Sequence, residues 1–136
     1  MKLINFLLLV CIFSISCKSD NQGKKILPIK EGSTPEKTFE EINKALIRGD
    51  LETVYFYLST NQKKAITLEE LKINYEKYKD IWIAQAKNAR IVNVAIDEQE
   101  GRASAVIYWG LGDNTIATFI LEDGIWREDT FIPLNK

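Results

Sequence analysis

The sequence contains no histidine, and its only cysteines are Cys11 and Cys17. Histidine is the commonest general base and metal ligand at neutral pH, so its absence removes the usual chemistry of hydrolases and zinc sites. The sequence also lacks a glycine-rich phosphate loop and a serine nucleophile elbow. We therefore expect the chain to bind neither a metal nor another cofactor.

An excess of charge of one sign is also lacking, because 18 basic residues stand against 19 acidic ones. Without a basic surplus to neutralise phosphates, nucleic acid is disfavoured as a partner. Hydrophobic residues make up 46% of the chain and charged residues 27%, which is typical of a folded domain. The length of 136 residues is sufficient for one such domain.

The most hydrophobic part of the chain lies at its start. Residues 3–15 are mostly apolar and follow the positively charged Lys2. This run is shorter than the roughly twenty residues of a membrane-spanning helix and fits the core of an export signal. Ser14 and Ser16 are small residues at the third and first positions before Cys17, as signal cleavage requires. We expect residues 1–16 to be removed by cleavage between Ser16 and Cys17.

The four residues Ser14-Ile15-Ser16-Cys17 resemble the end of a bacterial lipoprotein signal. The last three positions match that motif, whereas Ser14 stands where leucine is usual. The resemblance implies that Cys17 carries lipid and holds the exported protein to a membrane of the cell envelope. Ordinary secretion and an uncleaved anchor are the alternatives. Secretion would leave Cys17 as a single free thiol, because Cys11 is lost with the signal.

Residues 17–33 are mostly polar and lack periodicity, which predicts a flexible tether. The folded domain is expected to follow at residues 34–134. Thr34 before Pro35 is typical of a helix start, and Gly49 is typical of a helix end.

Two more helices are predicted after the first. Asp50 is the expected cap of the second, which would end near residues 59–61. Thr67 and Glu70 form a capping-box pattern that opens the third.

The residue pattern changes near residue 81, after which runs of β-forming residues alternate with predicted turns. Asp123-Gly124 favours a two-residue hairpin turn, and the other breaks are also short and rich in glycine. Such short connections join antiparallel neighbours. The predicted fold is therefore α+β, with three N-terminal helices packed on a curved four-stranded antiparallel meander. The predicted strands are 89–97, 102–109, 115–122 and 125–131.

This layout resembles the nuclear transport factor 2-like superfamily, also called the cystatin-like or SnoaL-like fold. The resemblance rests on helix, strand and turn patterns at residues 34–50, 54–59, 101–106 and 119–126. It implies a curved sheet around a conical pocket, and it is greatest for the small uncharacterised lipoproteins of that superfamily. It also implies that two copies pair through the outer face of the sheet. Some members are isomerases or dehydratases, but no catalytic residue of theirs has a counterpart here.

Aromatic residues are the candidates for lining such a pocket. Their rings offer apolar surface, and the hydroxyl or indole tips offer hydrogen bonds. The alternative is that each of them packs in the core between helices and sheet. The candidate pocket residues are Tyr55, Tyr78, Trp82, Trp109 and Trp126.

Three carboxylates are weak catalytic candidates. A catalytic acid or base needs an apolar setting that raises its pKa. Asp80 precedes an apolar run, while Glu128 and Asp129 follow Trp126. The favoured alternative is that each is a helix-end or solvent-facing charge.

The sequence thus favours a non-enzymatic envelope lipoprotein that binds a small apolar ligand or another envelope protein. An isomerase- or dehydratase-like enzyme that uses a buried carboxylate is the first alternative. A structural or inhibitor protein of the immunity type is the second.

Overall fold

The computed structural model describes residues 28–110, 112 and 114–130. The predicted signal peptide and Cys17 lie outside this part of the chain. Four helices precede four strands in the described chain. They are α1 (Pro35–Arg48), α2 (Leu51–Tyr57), α3 (Thr60–Ala65), α4 (Leu68–Asn88), β1 (Arg90–Asp97), β2 (Arg102–Tyr108), β3 (Asn114–Glu122) and β4 (Ile125–Glu128).

The predicted helix caps are confirmed. The Thr34 side chain accepts a hydrogen bond from the backbone of Lys37, and α1 ends at Gly49 in the left-handed conformation. Thr67 and Glu70 form both hydrogen bonds of a capping box at the start of α4. These local patterns satisfy backbone groups that a helix end leaves unpaired, which is why short sequence signals locate them.

The prediction of three helices is wrong, because the second predicted helix is divided into α2 and α3. Leu58 is extended and forms a parallel bridge with Glu128 of β4. The backbone N–H of Ser59 donates to the carbonyl of Glu128 at 2.9 Å, and the Ser59 side chain then caps α3. Pairing with a distant strand thus pulls two residues out of the helical conformation.

The sheet is antiparallel and open, with the strand order β1-β2-β3-β4. The α+β class and the four-stranded antiparallel sheet are therefore confirmed. Asp123 and Gly124 both have positive φ angles in the turn between β3 and β4, as a tight hairpin requires. The pairing of β1 with β2 is interrupted between Ile91 and Asn93, so that Val92 forms a bulge.

Two hydrophobic clusters form the core, and α1 contributes to both. Phe39 packs with the sheet, whereas Ile42, Ala45 and Leu46 pack with α2 and α4. The Thr38 hydroxyl donates to the carbonyl of Trp126 at 2.6 Å and fixes α1 to β4. The sheet cluster contains Phe39, Ala103, Ala105, Ile107, Ala117, Phe119, Leu121 and Trp126.

The last residues of the predicted tether contact the turn between β3 and β4. The Lys30 N–H donates to the carbonyl of Gly124 at 2.8 Å, and the Trp126 N–H donates to the Ser33 hydroxyl at 3.0 Å. A Cβ atom at Gly124 would come within 2.5 Å of the Pro28 carbonyl, so glycine permits this approach. The chain therefore enters the domain at one end of the sheet, and residues 30–33 are held against it.

Candidate functional site

The five aromatic residues predicted to line a pocket are divided between the two clusters. Tyr55, Tyr78 and Trp82 belong to the helical cluster, and Trp109 and Trp126 belong to the sheet cluster. Trp82 and Trp126 are buried, and the other three are half-buried. Their common pocket stays a prediction, and each of them has a packing role in the described core.

Two of the three candidate catalytic carboxylates, Asp80 and Asp129, are either exposed or engaged in structural hydrogen bonds. Asp80 is exposed on α4. The Asp129 carboxylate accepts a hydrogen bond from the Ser59 hydroxyl, and the side-chain amide of Gln62 donates to the Asp129 carbonyl at 2.6 Å. Asp129 therefore helps to join the start of α3 to the chain after β4.

Glu128 departs from the expectation of a solvent-facing charge. It pairs with Phe119 and lies two residues after Trp126, so its side chain shares their face of the sheet. Both of those residues belong to the core. Burial raises the pKa of the Glu128 carboxyl to about 7. Strand alternation from Trp126 was the sequence signal that could have identified this half-buried acid.

The structure contains a groove that the sequence did not predict. It lies between α1 and β1, next to the end of α4, and its volume is about 750 Å³. This volume is within the usual range of small-molecule sites. The lining residues are Glu36, Phe39, Glu40, Asn43, Lys44, Ile47, Ala86, Lys87, Ala89, Arg90, Ile91, Val92, Asn93 and Val94.

The walls of the groove are apolar at two exposed positions. Ile47 on α1 is 39% exposed, and Val92 at the bulge of β1 is 52% exposed. Phe39, by contrast, is buried and forms part of the groove wall from within the sheet cluster. Exposed apolar side chains that line one concave surface are typical of a binding site.

The charged residues of the groove favour binding over acid–base catalysis. Lys44 forms an ion pair with Glu40, and the hydrogen bond from Lys44 holds the pKa of Glu40 below its usual value. Glu40 is therefore ionised at neutral pH and is a poor proton donor. Glu128, whose pKa is raised, does not line the groove.

Within residues 28–110, 112 and 114–130, no group of three acidic or cysteine side chains is placed to hold a metal ion. None of the described helices combines the length and hydrophobicity that crossing a bilayer requires.

Comparisons of the chain with protein-family models, with curated proteins and with solved structures give no match. The function must therefore be inferred from the geometry of the groove and from the sequence itself.

Proposed function

We propose that the protein is a non-enzymatic binding domain, held by lipid to a bacterial membrane, whose site is the groove between α1 and β1. The observation that carries the proposal is the groove itself, which combines exposed Ile47 and Val92 with an ionised rim. A small apolar ligand, or an apolar segment of another envelope protein, suits such a surface.

The proposed anchor is supported by the sequence before the described domain. A short apolar leader, small residues before Cys17 and a polar segment after it are the parts that a lipoprotein requires. Two or more acyl chains on one residue would give stable membrane attachment, because each buried methylene contributes about 0.8 kcal/mol.

Mass spectrometry of the protein after expression in a bacterium tests the anchor. We expect the mature chain to begin at Cys17 and to carry acyl groups, and we expect Cys17→Ala to abolish both acylation and membrane attachment. Ser16→Ala retains a small residue before the cleaved bond and serves as the matched control. Recovery of an unmodified chain that still contains Met1 would contradict the proposed anchor.

The finer fold assignment is also part of the proposal. The α+β class and the open antiparallel sheet are compatible with a nuclear transport factor 2-like domain of the small lipoprotein group. Pairing of two copies through the outer sheet face is supported by Ile116 on β3, which is 66% exposed.

Binding of an apolar fluorescent probe tests the groove. We expect Nile red, an uncharged apolar dye, to bind the mature chain, and Ile47→Lys or Val92→Lys to weaken this binding roughly fivefold to tenfold. The physical reason is that each isoleucine or valine that becomes covered contributes on the order of one kcal/mol to binding.

Ile73→Lys is the matched control, because Ile73 is an exposed isoleucine on α4 that does not line the groove. Far-ultraviolet circular dichroism would verify that all variants are folded. Equal affinity of the wild type and the two groove variants for the probe would remove the groove as the binding site.

An enzyme of isomerase or dehydratase type is the second candidate, and Glu128 favours it. A carboxyl whose pKa is about 7 can both donate and accept a proton at neutral pH. This candidate ranks second because Glu128 lies outside the groove.

A further inference from the structure

The shape of the groove follows the free edge of a strand. Five consecutive residues of β1, Arg90 to Val94, all line it. Successive side chains of a strand point to opposite faces of the sheet. The bulge at Val92 interrupts this alternation, but five lining residues in a row still show that the groove runs along β1, which is an edge strand of the sheet.

The opposite wall of the groove is one face of α1. The lining residues Glu36, Phe39, Glu40, Asn43, Lys44 and Ile47 follow the spacing of three and four residues that defines a helix face. This stripe spans about 16 Å at 1.5 Å per residue. The five residues of β1 span about 13 Å at 3.3 Å per residue, which is close to this length. The groove is thus a slot that matches an extended segment of about five residues.

The two edges of the sheet differ in what covers them. The edge of β4 is occupied by Leu58 and Ser59, whose backbone pairs with Glu128. In the part of the chain that the structure describes, β1 pairs only with β2, and no backbone hydrogen bond reaches its other edge. An edge strand presents a row of donors and acceptors that another chain can pair with.

The described part of the N-terminal segment joins the domain at a distance from this slot. Ile91 pairs with Ile107, which pairs with Thr115 of β3. The turn that holds Lys30 is formed by Asp123 and Gly124. Thr115 lies about 26 Å from Asp123 along the strand, at 3.3 Å per residue. The N-terminal residues that the structure describes therefore contact the sheet near one end, and the slot lies toward the other end.

We propose that the slot binds an extended peptide segment of a partner protein, which adds to β1 as a fifth strand. This inference rests on the proposed binding function of the groove and names its occupant. Backbone hydrogen bonds with β1 would supply affinity, and apolar side chains at alternate positions would pack against Phe39, Ile47 and Val92. The preferred ligand is therefore a short extended peptide in which apolar and polar residues alternate.

Hydrogen exchange measured by mass spectrometry on the purified full chain in detergent micelles tests the inference. The probe is a pool of synthetic heptapeptides in which Val, Ile or Leu alternates with Thr. A second pool of the same sequences carries N-methyl groups on alternate amides, which removes donors without reducing apolar surface. We expect the first pool to slow exchange in residues 90–97 by about tenfold or more, and the second pool to have little effect.

The variants separate this inference from the proposed function. Ile47→Lys should reduce the protection of residues 90–97, and Ile73→Lys should not. Equal protection by both pools would overturn strand addition, and so would protection found only outside β1 and α1. Either result would still allow the groove to bind apolar ligands. Absence of protection by either pool would also overturn strand addition. Binding of Nile red to the wild type and to the groove variants would then show whether the proposed function survives.

Discussion

Replacing Trp126 by alanine is expected to lower the free energy of unfolding by about 3–5 kcal/mol. The Trp126 side chain is buried beside Phe119 and Leu121 in the sheet cluster, so its loss leaves a large cavity. The backbone of Trp126 also accepts the Thr38 hydrogen bond, and a relaxed β4 would weaken that link to α1. Because domains are commonly stable by only about 5–15 kcal/mol, a large part of the stability would be lost.

Urea denaturation followed by circular dichroism measures this effect. Ile73→Ala is the control, since Ile73 is 68% exposed and its truncation is expected to change stability by less than about 0.5 kcal/mol. Trp126→Phe should restore part of the loss, because it keeps an aromatic ring in the core. If Trp126→Ala and Ile73→Ala had similar midpoints, Trp126 would not be a core residue.

Replacing Glu128 by glutamine is expected to stabilise the protein by about 2–3 kcal/mol at pH 8 and by less than about 1 kcal/mol at pH 5. Burial raises the pKa of Glu128 from 4.5 to about 7, so the folded state binds more protons than the unfolded state between these values. The stability of the wild type therefore rises as the pH falls through 7 toward 4.5. Glutamine has no charge to bury and lacks this dependence.

The difference is measured from the denaturation midpoints of the wild type, Glu128→Gln and Asp80→Asn. The measurements are made at about pH 8, 6.5 and 5, which lie on both sides of the raised pKa of Glu128. Asp80→Asn is the matched control, because Asp80 is exposed. Its pH profile should follow that of the wild type. A Glu128→Gln profile parallel to the wild type would mean that the pKa of the half-buried Glu128 is not raised in the folded protein.

The parts of the fold that were predicted correctly depend on neighbouring residues. Thr34 and Gly49 delimit α1, and the Thr67 and Glu70 pair opens α4, because caps are satisfied within one turn. Asp123-Gly124 indicated a hairpin for the same reason, since the turn needs positive φ angles at adjacent positions.

The features that were missed depend on residues far apart in the chain. The break at Leu58 and Ser59 is caused by pairing with Glu128, about seventy residues later. The burial of Glu128 itself depends on its place opposite Phe119. The groove combines one face of α1 with the end of α4 and the edge of β1, and no local pattern indicates that these surfaces meet.

The sequence by itself determined the α+β class, the principal helix caps and the hairpin turn, because hydrophobic periodicity and turn chemistry act over a few residues. Only the tertiary structure decided that one edge of the sheet is covered by Leu58 and Ser59 while β1 faces a groove. The physical reason is that edge coverage, burial of a carboxyl and the width of a groove are set by how whole elements pack, which short-range patterns do not encode.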